Sequence, residues 1–362
     1  MRLLFANKKL DYASATTYSL DLAQLLIAAG DQVQLCTAGG PLSSSFRSRG
    51  IETYLAKFNY FSYRKLLQYL RDFSPDLIHV QNQRSALFGQ KLSARLGVPH
   101  VVTVHRSPKE RMAPLAHPML AGIVAVNEVI REDLVNNQAI PKSLIRVVKH
   151  GVDVNNLQPE AVEPSRDGNE RIPVVGAVGR LARIKGHHVL LSAARKLLDA
   201  GTEIMFMLVG EGDEEPGLRR LARDLQLERH VTFSPHIPNR RDLYRICDIV
   251  VVPTLRGGVG TTVLEAMAMG KPVVASAVGE VMHILRHEET GLLVPESDAT
   301  ALADGIARLV REPLLAARLA AAAREHVCEN FALESMIKGT REFYQDVLVR
   351  LVEGTREGLA AR

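Results

Sequence analysis

The sequence predicts an α/β protein built as two parallel-sheet units, each with helices on both faces of its sheet. Three observations carry this. Short apolar runs of strand length alternate with amphipathic helical runs along nearly the whole chain. The alternation stops once, over residues 157–173, where the polar "LQPEAVEPSRDGNERIP" contains three prolines and no apolar period. The length, 362 residues of which 46% are hydrophobic, exceeds what most single cores use and suits two.

In the first half the strand "RLLFAN" is followed by the amphipathic "TTYSLDLAQLLIAAG" and the strand "QVQLCTAG". The strand "DLIHVQ", the helix "SALFGQKLSARLG" and the strands "HVVTVH" and "GIVAVN" come next. Gly30, Gly97 and, in the second half, Gly201 stand where a helix ends and a strand soon follows. After the break the pattern restarts with "VVGAVGRL", "HHVLLSAARKLLDAG", "IMFMLVGEG", "GLRRLARDLQL" and "HVTFSP". It continues through "RDLYRICD", "IVVVPT", "RGGVGTTVLEAMAMGKPVVAS" and "GLLVPE". The Ala-rich "ARLAAAAREHVCENF" reads as a surface helix. The last helix, "ALESMIKGTREFYQDVLVRLVEG", sets Met336, Phe343, Val347 and Leu351 on roughly one face, which must pack on something. The expected division is therefore 1–163 and 171–332, joined by the linker 157–173 and followed by a helix over 333–352.

Cys36, Cys247 and Cys328 are isolated and have no metal-ligand spacing, a usage that suits a reducing cytoplasm. The apolar run in "MRLLFANKKLDYAS" is too short for a signal peptide, and no run reaches the roughly 18 apolar residues of a membrane span. The expectation is a cytoplasmic protein, attached at most to the inner face of a membrane. Net charge is +5, with a basic excess in the first half that includes Lys8, Lys9, Arg47, Arg49, Arg64 and Lys65. That excess fits a weak anionic membrane contact, a phosphorylated substrate or a plain solvated surface. Scattered basic residues without interleaved aromatics argue against nucleic acid.

Ligands of open parallel sheets sit beyond the carboxyl ends of the strands, so the strand-to-helix loops are where chemistry is sought. Gly270-Lys271 is followed by Pro272, and Glu265 occupies the position five back, so there is no Walker A loop. The first loop, "ANKKLDYASATTYS", has no glycine, so the dinucleotide fingerprint is absent. Two later loops do suit phosphate. "GRLARIKGHHVLL" offers Arg180 and Lys185, a planar fork and a point charge, although the pair also fits a solvated helix entrance. "GGVGTTVLEAMA" offers the amides of Gly258, Gly260, Thr261 and Thr262 at a helix N-terminus. Thr262-Val263-Leu264-Glu265 also fits a capping box, which would make Glu265 a helix cap and nothing more.

Taken together, "GRLARIKG", "LVGEGDEEPGLRRLA", "VTFSPHIPNRRDLYRICDIVVVPT", "GVGTTVLEAMAMGKPVVAS" and "ETGLLVPESDATALADGI" resemble the family-4 glycosyltransferases. "VVTVHRSP" and "IRVVKHGVDVNNLQP" extend the resemblance into the first half. It implies the GT-B fold, two Rossmann-like domains facing across a cleft, with the last helix crossing back to the first domain. It also implies transfer of a sugar, with retention and without a divalent metal or other cofactor, from a UDP- or GDP-sugar to a glycan or lipid-linked acceptor.

Carried onto this sequence, the resemblance makes Arg180 and Lys185 the cations that neutralise the departing diphosphate. Glu265 becomes the acceptor for the ribose hydroxyls, and the backbone at His236 and Ile237 faces the base. The loop from Gly258 to Thr262 holds phosphates and sugar, and His105 lies near the donor sugar. The sequence departs from the family at three places. Gly257 stands eight positions before Glu265, where a second glutamate is usual. Ala13-Ser14 replace a Gly-Gly pair, so Ser14 is the donor-side residue there. "VGEVMHIL" replaces a Gly-Gly-x-Pro-Glu element, with Glu280 and His283 displacing its usual members. Two functions follow: an active transferase with unusual donor or acceptor choice, or a degenerate protein of this fold that binds a nucleotide or a partner without transfer. An epimerase of the same fold fits these spacings less well.

Overall fold

The computed structural model describes residues 1–11, 14–55, 60–107, 117–159, 172–235, 237, 239–256 and 260–360. The chain forms two units, Met1–His150 with Glu334–Arg362, and Gly151–Leu333.

The first unit runs β1 (Arg2–Ala6), α1 (Ser14–Ala28), β2 (Gln32–Thr37), α2 (Ser43–Ser48), β3 (Glu52–Leu55), α3 (Tyr60–Phe73) and β4 (Leu77–Val80). It continues with α4 (Ala86–Leu96), β5 (His100–Val104), β6 (Leu120–Ala125), α5 (Glu128–Asn136) and β7 (Ile145–Val147). Its strands pair in parallel in the order β3-β2-β1-β4-β5-β6-β7. The inner strands β4 and β5 are buried at every residue, as a sheet covered on both faces requires. Gly97 ends α4 with φ +69°, the left-handed conformation expected of a helix-closing glycine. Asn127 caps α5 by accepting from the Ile130 N–H at 2.8 Å.

The second unit runs β8 (Val174–Val178), α6 (His187–Asp199), β9 (Met205–Val209), α7 (Glu215–Asp224), β10 (Val231–Ser234), α8 (Arg240–Ile246) and β11 (Ile249–Val252). It closes with α9 (Thr261–Ala268), β12 (Val273–Ser276), α10 (Val281–Ile284), β13 (Leu292–Val294), α11 (Ala299–Arg311) and α12 (Pro313–Asn330). The parallel strand order is β10-β9-β8-β11-β12-β13. Strand periodicity divides this unit into two cores. Val175, Phe206, Leu208 and Val251 enter one, while Met207, Val209, Val250 and Val252 enter the other. Both sheets are thus doubly wound.

The last helix, α13 (Leu333–Ala360), packs on the first unit. Met336, Phe343, Tyr344 and Val347 are buried, each such side chain worth about 1.5–3 kcal/mol. Phe343 lies against bare backbone at Gly122 of β6, where a Cβ would come within 2.5 Å of the ring. The Tyr344 hydroxyl bonds His79 Nδ1 at 2.5 Å inside β4, and His79 Nε2 bonds Thr103 Oγ1 at 2.7 Å. Leu351, expected on this seam, is 38% exposed instead. The apolar period fixes which side of a helix faces inward, and among the described side chains of α13 the buried seam ends at Val347.

The division of the chain also differs from the sequence expectation. It falls between His150 and Gly151, ahead of the polar segment, and residues 160–171 of that segment lie outside the described residues. Val152 binds the second unit through its N–H to the Phe331 carbonyl at 2.8 Å, and its own carbonyl accepts from Leu333 N–H at 3.1 Å. Val152 and Leu157 belong to that unit's core, and Arg324 bonds the Leu157 carbonyl at 3.0 Å.

Candidate active site

In the second sheet the chain reverses direction of winding between β8 and β11, so the loops leaving these two strands diverge. A pocket opens there. Ala177 and Val178 at the end of β8 and Val251 to Thr254 at the end of β11 form its floor. Lys185 and His187, Gly260 and Thr262, and Val278 and Val281 complete its lining.

The loop after β8 makes a single 3-10 turn, Arg183–Lys185, before α6. Gly186 follows at φ +69°, and a Cβ there would lie 1.8 Å from the Pro253 carbonyl oxygen. Glycine therefore lets this loop press on the loop after β11, and Leu255 N–H bonds the Ile184 carbonyl at 2.9 Å. The contact carries Lys185 into the pocket. Burial, and second the charge of Arg180, push the Lys185 ammonium below its ordinary pKa. Arg180 is exposed beside it. Two cations held together are a ready seat for a diphosphate, whose charge would relieve their repulsion.

His187 adds a neutral imidazole. It is 3% exposed, its Nδ1 has no hydrogen-bond partner, and burial followed by the Lys185 charge lowers it to about 4.

Helix α9 begins at Thr261, and its N-cap, Gly260, makes no side-chain cap. The first-turn amides therefore keep donor capacity toward the pocket side of the loop. The Thr262 hydroxyl reaches the Val178 carbonyl at 3.4 Å, which ties α9 to the end of β8.

Glu265 does not close a capping box. Its Oε2 accepts from the Tyr244 hydroxyl at 2.8 Å and from Arg240 Nη1 at 3.2 Å. Both partners come from α8, and Tyr244 is fully buried. Burial, and then the Glu265 charge, raise the phenol well above its ordinary pKa, so it stays a donor. The two contacts fix the carboxylate through one oxygen.

Arg180, Lys185, Gly260, Thr261, Thr262 and Glu265 are thus grouped around the ends of β8 and β11. Ile237 is half-buried and packs on the second unit's core. His236 and Gly258, with Gly257, lie outside the described residues. Ser14 and His105 belong to the first unit. Ser14 opens α1, and His105 follows β5. The His105 ring is buried, with both nitrogens engaged: Nε2 donates to the Gln81 carbonyl at 2.8 Å, so Nδ1 accepts from His150 Nε2 at 3.0 Å. Burial is the main cause that lowers His105 to about 4 and His150 well below its ordinary value. His105 is therefore a neutral, oriented ring with no free nitrogen to serve as a base. Tyr244, Arg240, His187 and His150 are the residues that sequence reading did not single out. "RRDLYRICD" held the first two, where a tyrosine among apolar helix positions was the available signal.

A doubly wound sheet whose switch-point loops gather two cations, helix amides and a fixed carboxylate defines an α/β protein with an arrangement suited to a phosphorylated ligand at that point. Two family comparisons narrow this: residues 161–326 match Glycosyl transferases group 1, and residues 15–156 match Glycosyltransferase Family 4. The chain belongs to these glycosyltransferases. It is similar to the D-inositol 3-phosphate glycosyltransferase of Salinispora arenicola, with 32% identity over 75% of this chain and 69% of that one. It is also similar to the 2-deoxystreptamine glucosyltransferase of Streptomyces kanamyceticus, with 27% identity over 75% of this chain and 77% of that one. Among solved structures, a glycosyltransferase from Rickettsia africae superposes with TM-score 0.82 at 22% identity, covering 96% of this chain and 98% of that one. Anabaena HepE in complex with UDP-glucose gives TM-score 0.82 at 21% identity over 96% and 100%. The fold is GT-B.

Proposed function

We propose that the protein is a retaining, metal-independent glycosyltransferase that moves a sugar from a UDP- or GDP-sugar to a glycan or lipid-linked acceptor. The observation that carries this is the switch-point pocket, with Lys185 and Arg180 on one loop and the uncapped start of α9 on the other. In this reading the diphosphate lies against Lys185, Arg180 and the amides of Gly260 to Thr262. The ribose diol donates to Glu265, and the base lies by Ile237. The donor's anomeric C–O bond to phosphate breaks as the acceptor oxygen bonds the same face. The departing phosphate oxygen takes the acceptor's proton. Positive charge develops on the sugar and negative charge on the diphosphate. Fixed cations and amides stabilise the latter without reorganising. A protein base is not needed on this route, which agrees with a His105 ring that offers none. The HepE structures in complex with UDP and with UDP-glucose, and the relatives named as glycosyltransferases, support the choice of donor.

The test is transfer from a panel of UDP- and GDP-sugars to varied acceptors, with EDTA present and the product anomer read by NMR. Lys185→Ala should abolish turnover in a folded protein, through loss of a charge-assisted contact to the leaving group. Near-normal kcat in that variant removes the assigned role. Tight UDP or GDP binding by the wild type with no transfer from any donor would establish the degenerate binding protein instead.

A further inference from the structure

His187 is the first residue of α6, and it lines the switch-point pocket together with Lys185. The side chain is buried, and its Nδ1 has no hydrogen-bond partner. Among the described residues, the other buried side-chain atoms without partners belong to residues that do not line this pocket. His79 and His105 are buried too, but both nitrogens of each ring are hydrogen-bonded.

A buried nitrogen without a partner costs stability, and native folds seldom keep one unless something beyond the chain completes it. The backbone holds this ring at the pocket. Before it, Gly186 is set at φ +69° against the Pro253 carbonyl. After it, Val189 and Leu190 donate their N–H groups to the Gly186 carbonyl at 2.9 and 3.3 Å and enter the core. The χ2 torsion of histidine is broad and roughly two-fold, so the ring can turn its nitrogen toward the pocket within the volume it already fills. The groups around it donate. Lys185 lines the same pocket, and neither α6 nor α9 has a side-chain cap over its first amides. A ligand that suits these neighbours is an anion, and its oxygens accept. Burial, and second the Lys185 charge, keep the ring neutral, so it offers one N–H without adding a further cation to the free site.

We propose that the His187 imidazole donates a hydrogen bond from Nδ1 to a diphosphate oxygen of the nucleotide donor, and that this nitrogen stands unpaired in the free protein for that contact. The assignment rests on the transferase reading above and adds a neutral side-chain donor to the two cations. Stability and binding should then move in opposite directions. An apolar side chain of similar size removes the unpaired nitrogen and loses the contact.

The full chain is tested with UDP and GDP, and with the nucleoside that matches whichever nucleotide the wild type binds. Thermal melting of the free protein and calorimetric affinities are read at neutral pH. His187→Leu should melt at or above the wild-type temperature, bind the nucleotide about tenfold or more weakly, and keep its nucleoside affinity. His187→Asn, whose amide restores an N–H near the position of Nδ1, should recover most of the loss. His188→Leu, at the neighbouring position that does not line the pocket, should bind as the wild type does. In the wild type, the Nδ1 resonance of His187 should shift with the nucleotide and not with the nucleoside, and this reading decides the question if the leucine variant does not fold. Nucleotide affinity of folded His187→Leu within about twofold of wild type overturns the proposal. So do equal losses of nucleotide and nucleoside affinity, a clearly lower melting temperature, or an Nδ1 resonance indifferent to the nucleotide. If the wild type binds neither UDP nor GDP, the transferase reading itself fails, and this contact with it.

Discussion

Tyr244→Phe is the most informative single perturbation of the proposed donor site. The ring stays, so no cavity forms in the core that Tyr244 shares with Val263 and Met267. The change removes one hydroxyl, which donates to Glu265 Oε2 at 2.8 Å. A hydrogen bond to a charged group contributes about 1.5–3 kcal/mol. The other hold on the carboxylate, Arg240, sits at 3.2 Å with its side chain 35% exposed, and it survives the change. The loss should therefore fall near the lower end, about 1.5 kcal/mol, or about tenfold in UDP affinity. Because the phenol remains protonated, the effect should not vary with pH between about 6 and 9. Calorimetric titration of UDP into the variant measures it, with Glu265→Gln as the reference for complete loss. A folded Tyr244→Phe protein that binds UDP within twofold of wild type would refute the idea that this hydroxyl holds the carboxylate in place.

Other outcomes follow from the same contacts. Burial lowers His79 to about 3 and His100, His105 and His187 to about 4, so below their unfolded values the native state binds fewer protons than the unfolded chain. Their stabilisation is full above about pH 6.5 and is lost as pH falls toward 4, by about 1 kcal/mol per imidazole at about pH 5.5. Urea denaturation that stays flat between about pH 7 and 5 would contradict buried neutral rings. Gly186→Ala puts a Cβ 1.8 Å from a carbonyl oxygen at positive φ, and should lower stability by about 3 kcal/mol or more and abolish UDP binding. A melting temperature within a degree of wild type would show that the two loops separate easily. Gly122→Ala drives a Cβ into Phe343 and should detach α13, seen as early proteolysis at the C-terminal end, with UDP binding retained.

Much of the architecture could be read in the sequence because a sheet covered on both faces leaves a plain mark. "LIHV" and "IVVV" are uninterrupted strand-length runs, and the glycines after α1, α4 and α6 close helices as expected. The edge strands β3 and β7 escaped notice. "ETYL" and "IRV" are half exposed, short and polar, so neither periodicity nor hydrophobicity distinguishes them from loops. The loops proposed to hold the diphosphate were legible as strand-to-helix junctions. The partners of Glu265 were not. Local spacing favoured a capping box within α9, whereas the carboxylate turns to α8, more than twenty residues back in the chain. The His105–His150 contact was hidden for the same reason: its members are 45 residues apart. The boundary at Gly151 was obscured because the polar segment after it invites the division, while Val152 and Leu157 are too few to form a pattern.

The placement of α13 has a consequence for how the protein is made. Everything up to His150 leaves the ribosome well before Phe343 and Tyr344 exist, and until then the nascent sheet has an open face at Gly122 and an unsatisfied imidazole at His79. The contiguous second unit meets no such delay, for its last partner, Leu333, is the first residue of that helix. The unit translated later is therefore expected to reach its native state first, and the unit translated first must wait, dependent on chaperones or on its own reversibility, until α13 has been made.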